Sequence, residues 1–182
     1  MKTLEVPARE EVSENNQAIF DNLKANIGFV PNLYASFAYS ETALGDYLAF
    51  QNRKSSLRTK EREVINLVVS QVNECSYCLA AHTAIAKMNG FSDDEILEIR
   101  RGEVNFDDKI AALVNFVKDI TVNRSKPGAA SVEALYEAGY TSENMIDINM
   151  VIGDKMVSNF IYGAAQFPID FPAAPELEEA TA

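Results

Sequence analysis

Tryptophan is absent from the 182 residues, histidine occurs once and cysteine twice. Two cysteines cannot supply a disulfide framework, so a chain of this length has to be held by a hydrophobic core of its own. Eight glycines and six prolines are few, and that scarcity of helix breakers points to helix. Positive charge is also short: 16 Lys and Arg stand against 27 Asp and Glu, for a net charge of -11. Nucleic-acid binding rests on clustered cations that replace counterions, so this balance argues against it, as it does against docking on an anionic membrane. No stretch approaches the roughly 20 apolar residues of a spanning helix. The opening "MKTLEVPAREEVSENN" has no apolar run of the kind a secretion signal needs. A cytoplasmic, reducing location is therefore expected, where two cysteines act as thiols, metal ligands or a redox pair.

What is present is helical periodicity. From about Pro7, Ile19, Phe20, Leu23 and Ile27 share one face, and Gly28 stops the run. Pro31 opens a second helix with Leu33, Tyr34 and Phe37 on its apolar side, and Ser40 reads as the cap of a third, over "ETALGDYLAFQNRK". Thr59 caps "KEREVINLVVSQV", apolar almost all round; its β-branched run would also suit a strand, but its length and charged lead-in favour helix. The next element starts at Asn73 or Glu74 and runs to about Asn89. Ser92 caps "DDEILEIRRG", "NFDDKIAALVNFVKDITVNR" repeats the helical pattern, Ser131 opens a short helix, and Thr141 opens the last long one. The expectation is all-α: a single helical domain of about eight helices over residues 1–167. An extended or disordered tail follows over 168–182, which Phe167 and Phe171 could pin to a neighbouring surface.

Both cysteines and the histidine fall within "NECSYCLAAH". On a helix, Cys75, Cys78 and His82 stand at i, i+3 and i+7, one face, and α-carbons three residues apart lie at roughly 5 Å, within disulfide range. The thiolate is the nucleophile, so pKa governs reactivity. The helix dipole favours an anion at Cys75, whereas His82, one turn beyond Cys78, offers Cys78 a base or proton relay; the second consideration makes Cys78 the expected attacking thiol and Cys75 its resolving partner. One thiol can become a sulfenic acid and condense with the other into a disulfide, which an external dithiol then reduces. A metal site on Cys75, Cys78, His82 and a carboxylate is a competing reading, weakened by the lack of a second ligand pair.

The spacing of a glutamate, eleven residues, then C-x-x-C-x-x-x-H, reading "EVINLVVSQVNECSYCLAAH" from Glu63, resembles the AhpD-like alkylhydroperoxidases of the carboxymuconolactone decarboxylase superfamily. The likeness extends through "LRTKEREVINLVVSQVNECSYCLAAHTAIAKMNGFSDDEI" and, more loosely, over residues 20–165. It implies an all-helical fold, homo-oligomers such as trimers or hexamers, and reduction of hydroperoxides without a bound cofactor. It assigns attack on the peroxide to Cys78, resolution to Cys75, and a proton relay to Glu63 and His82. It further implies an external dithiol reductant, such as a dihydrolipoyl protein, and in some members service to a peroxiredoxin. Tyr77 stands where well-studied members carry a second histidine, which shortens the relay. Three other readings use the same residues: a thiol–disulfide exchange partner without peroxide specificity, a carboxymuconolactone-decarboxylase-type lyase, and a helical assembly subunit with vestigial chemistry.

Overall fold

In the computed structural model, residues 4–177 are described; the far end of the expected tail, 178–182, and the first three residues of the expected N-terminal arm lie outside them. Among the described residues the chain is all-α, with nine α-helices and one 3-10 turn: α1 (Glu14–Ile27), α2 (Asn32–Phe37), α3 (Ala43–Gln51), α4 (Thr59–Val72), α5 (Ser76–Met88), α6 (Asp93–Arg101), α7 (Asp108–Val122), α8 (Ala129–Glu137) and α9 (Ser142–Ala165), with the 3-10 turn at Arg9–Glu11. Among these residues no helix is long and apolar enough to cross a membrane. The backbone divides into two compact units, one of residues 4–54 with 160–170, the other of 55–159 with 171–177.

In the first unit, α1 starts at Glu14 rather than near Pro7, because the Ser13 side chain takes the Asn16 N–H and fixes the boundary there. Gly28 closes the helix in the left-handed region, φ 93°, where a Cβ would be strained. Phe37 stacks on Tyr47 with ring centroids 4.3 Å apart, and buried Asn16 donates to the carbonyls of Ala38 and Ser40. The N-cap of α3 is Thr42 and not the expected Ser40, whose hydroxyl nevertheless accepts from the Ala43 N–H at 3.3 Å. Past α9 the chain leaves helix: Asp170 accepts from Asn32 N–H at 2.7 Å and Phe167 is buried against Tyr162.

The second unit holds the main core. Helix α4 runs through its centre, with Val64, Ile65, Leu67, Val68 and Val69 buried on every side. That settles the strand–helix ambiguity: the run is 14 residues of helix, started by Glu61 reaching back to the Arg58 N–H at 2.8 Å. Around it pack Ile96 and Ile99 of α6, Ile110, Leu113, Val114, Phe116 and Val117 of α7, Leu135 of α8, and Ile148 and Val151 of α9. Ser92 and Glu95 make the reciprocal cap of α6, and Asp107 caps α7. Helix α8 starts at Ala129, earlier than Ser131, because Asp119 accepts from both the Gly128 N–H and the Ser131 hydroxyl. Beyond residue 170 the chain stays non-helical; Phe171 sets its ring edge-on to Tyr77, and Pro175 offers its carbonyl to Arg100 at 2.7 Å.

Candidate active site

The turn from α4 to α5 creates the site. Helix α4 ends at Val72 with Asn73 as its C-cap, and Glu74 takes the left-handed conformation, φ 52°. Glu74 N–H then bonds to Gln71 C=O at 3.1 Å and Cys75 N–H to Ser70 C=O at 2.9 Å, the two bonds that close a Schellman-type helix end. Asn73 therefore ends one helix instead of starting the next, and Cys75 sits outside α5 as its N-cap, where an in-helix position was expected. Its sulfur does the work of a capping oxygen, accepting the Cys78 N–H at 3.4 Å. Cys78 is the third residue of α5, so it too lies in the first turn, within reach of the helix dipole.

The four sequence-derived residues are brought together. The sulfurs of Cys75 and Cys78, both free thiols, lie 2.6 Å apart. His82 Nδ1 meets Glu63 Oε2 at 2.7 Å, across from α5 to α4, and Asn66 donates to Glu63 Oε1 at 3.2 Å. All are withdrawn from solvent, Cys78 at 1% exposure, Cys75 at 3%, Glu63 at 7% and His82 at 8%. Burial acts to raise the Glu63 carboxyl, but the charge and hydrogen bond of His82, the charge of Lys155 and the Asn66 amide outweigh it and hold it below the usual carboxylate range. An ionised Glu63 can only accept, so Nδ1 carries the proton and Nε2 is the nitrogen left to exchange one.

The cysteines are driven apart. Cys78 is lowered to about 6, first by the hydrogen bond from the Cys75 thiol and, against the opposing effect of burial, by the charges of Lys155 and His82 and by the Asn159 amide. Cys75 is pushed up, because it holds the proton of that shared bond, because it is buried and because the charge on Cys78 opposes its own. Among the described residues no group of three or more His, Cys, Asp or Glu side chains is disposed to hold a metal ion. A cavity of about 560 Å³, lined by Arg58, Lys60, Phe91, Glu95, Phe106 and Ile110 among others, touches none of the four site residues.

Two neighbours on α9 escaped the sequence reading. Lys155 and Asn159 lie on α9, and Asn73 ties that helix to the cysteine turn by donating to Asn159 Oδ1 at 2.9 Å and Met156 Sδ at 3.0 Å. A signal was available: Ile148, Val151, Lys155 and Ser158 follow the spacing of one buried helix face, and a lysine in an apolar stripe is out of place there.

The site is a Cys-x-x-Cys pair at a helix start together with a carboxylate–imidazole pair, on an all-helical fold. Residues 38–119 match the model of the carboxymuconolactone decarboxylase family. No curated protein sequence matches it. Among solved structures it is similar to an uncharacterized peroxidase-related protein from Silicibacter sp. TM1040, at 24% identity over 94% of this chain and 91% of the other, with a TM-score of 0.78. It is similar also to an uncharacterized peroxidase-related protein from Ralstonia eutropha JMP134 described as an alkylhydroperoxidase AhpD core, at 22% identity over 87% of each chain and a TM-score of 0.78. The debrominase Bmp8, solved as a cysteine-to-alanine variant in complex with 2,3,4-tribromopyrrole, shares 16% identity over 93% of each chain with a TM-score of 0.77. At these identities the likeness establishes the fold.

Proposed function

We propose that the protein is a thiol peroxidase that reduces alkyl hydroperoxides through Cys78 and Cys75. The observation that carries this reading is the pair of buried sulfurs 2.6 Å apart, in surroundings that push Cys78 down towards its thiolate and Cys75 up towards its thiol. The Cys78 thiolate attacks the terminal oxygen of ROOH; the O–O bond breaks, sulfur takes the oxygen as sulfenic acid, and the departing RO⁻ receives a proton by way of His82 to leave as ROH. Glu63 holds the imidazole by its Nδ1–H and stabilises it as it charges and discharges. Cys75, once deprotonated, attacks the sulfenic sulfur; an S–S bond forms and the hydroxyl leaves as water. An external dithiol, of the dihydrolipoyl class, exchanges with the disulfide and restores both thiols. The protein acts as a homo-oligomer in the cytoplasm, with a peroxiredoxin as a client in the same relay.

Stopped-flow mixing of the reduced protein with cumene hydroperoxide tests the reading. Wild type is expected to form a disulfide, Cys75→Ser to stop at a sulfenic acid after releasing one equivalent of alcohol, and Cys78→Ser to do neither. A reaction no faster than that of a free thiolate of matched pKa would overturn the peroxidase and leave thiol–disulfide exchange. Release of bromide from a bromopyrrole or of carbon dioxide from a lactone acid, with peroxide inert, would move the same site to a different reaction.

A further inference from the structure

We propose that Lys155 is the counter-cation of the cysteine site, a positioning residue whose buried ammonium supplies the net positive charge that a buried Cys78 thiolate requires. The inference deepens the peroxidase reading and rests on its assignment of Cys78 as the reactive thiol.

The first observation is placement. Lys155 is 1% exposed, the most deeply buried charged side chain among the described residues. Long charged side chains are almost never buried to this degree without compensation. Yet among the described residues no carboxylate forms an ion pair with it; its charge reaches Glu63 and Cys78 without direct contact. Asp154, its buried neighbour in sequence, makes no pair with it. The segment that carries it is fixed to the cysteine turn, since the next residue, Met156, and Asn159 one helical turn on both accept from Asn73, two positions before Cys75.

The second observation is a charge count. Glu63 and His82 are paired at 2.7 Å, so carboxylate and imidazolium cancel, and with a neutral imidazole the pair is an anion. Either way the pair offers a thiolate no net positive charge. A buried Cys78 anion beside it would leave the site negative in a medium that solvates charge poorly. With Lys155 the sum closes: Glu63 and Cys78 carry two negative charges, His82 and Lys155 two positive. The titratable and charged groups that act on Cys78 are Cys75 and His82 from the turn and α5, and Lys155 from α9; Glu63 acts by way of His82, and the Tyr77 ring next in sequence faces Phe171. Asn159 completes the wall. Its Oδ1 is taken by Asn73, so its amide nitrogen, buried and otherwise unpartnered, is left as a donor whose effect falls on the Cys78 sulfur.

During attack on ROOH the negative charge moves from sulfur to the departing alkoxide oxygen. The fixed charge also makes the disulfide more oxidising, because it stabilises the reduced, thiolate form.

The test reads the thiolate, not peroxide turnover, so its outcome is separate from that of the peroxidase assay. The rate of iodoacetamide alkylation of Cys78 is followed against pH in wild type, Lys155→Met, Lys155→Arg and the double variant Glu63→Gln/His82→Gln. In Lys155→Met the midpoint is expected to move up by about one pH unit or more, the scale of a nearby opposite charge, and Lys155→Arg to restore it. The double variant, which removes the pair and keeps Lys155, is expected to raise the midpoint by less than Lys155→Met does, because the lost His82 charge is offset by the lost Glu63 charge. An unmoved midpoint in folded Lys155→Met overturns the proposal. So does a rise of about one pH unit or more in the double variant, which needs no Lys155 variant to fold and would assign the counter-cation to His82.

Discussion

Glu63 ties the folding of the chain to the proposed chemistry. Its carboxylate is buried, bonded to His82 and Asn66, and held below the ordinary carboxylate range. A carboxylate whose folded pKa is depressed contributes stability in full above its unfolded value, near 4.5, and loses it as pH falls through the folded value. Glu63→Gln is therefore expected to flatten the acid limb of stability below about pH 4.5, as read by urea midpoints across pH. The same change removes the group that orients the imidazole and lowers hydroperoxide turnover by about 10²-fold, the usual scale for losing part of a proton relay. Turnover within a factor of two of wild type would put Glu63 outside the relay. Tyr77 faces Phe171 edge-on, ring centroids 5.8 Å apart. Phe171→Ala is expected to cost about 1 kcal/mol in a thermal or urea unfolding measurement, the worth of an aromatic pair together with part of its burial.

At the scale of the element, the α4–α5 turn explains both what was legible and what was not. Helix α4 could be read from its length, its charged lead-in and its apolar residues, the Cys75, Cys78 and His82 cluster from spacing, and Glu63 only from the resemblance to a known family. The end of α4 could not, because helix ends advertise themselves by glycine and here a glutamate takes the left-handed position. That hid the N-cap role of Cys75 and placed the start of α5 two or three residues early. Lys155 was hidden for the opposite reason: an apolar stripe draws attention to its hydrophobic members, and the one charged residue on it passes as an interruption. The same conformation yields a prediction. A residue with a Cβ in the left-handed region costs about 1 kcal/mol, so Glu74→Gly is expected to stabilise the protein by up to about that amount without altering the rate of Cys78 alkylation. Glu74→Val, β-branched at φ 52°, is expected to destabilise it, and differential scanning calorimetry separates the two.

At the scale of the molecule, α9 carries two faces of different use. Ile148, Val151 and Lys155 are buried, whereas Ile146, Met150 and Val157 are 65%, 37% and 42% exposed. The exposed three follow coiled-coil spacing, with Gly153 at the position between Met150 and Val157. An apolar stripe of this kind is where a second copy would cover the helix, and a homo-oligomer is the proposed state of the protein. Sedimentation of wild type is expected to give a multiple of 20.1 kDa, and Ile146→Asp with Val157→Asp to shift it towards the monomer. A wild-type mass of one chain removes the assembly from the account.

The most direct measurement is the second-order rate of hydroperoxide reduction by the fully reduced protein, followed by stopped flow across pH. The thiolate is the reactive form, so the rate is expected to climb through a midpoint near pH 6 and stay level above it, with Cys78→Ser inactive throughout. A rate that goes on rising through pH 8 to 9, as an ordinary thiol would, contradicts the claim that this buried cluster holds Cys78 as an anion.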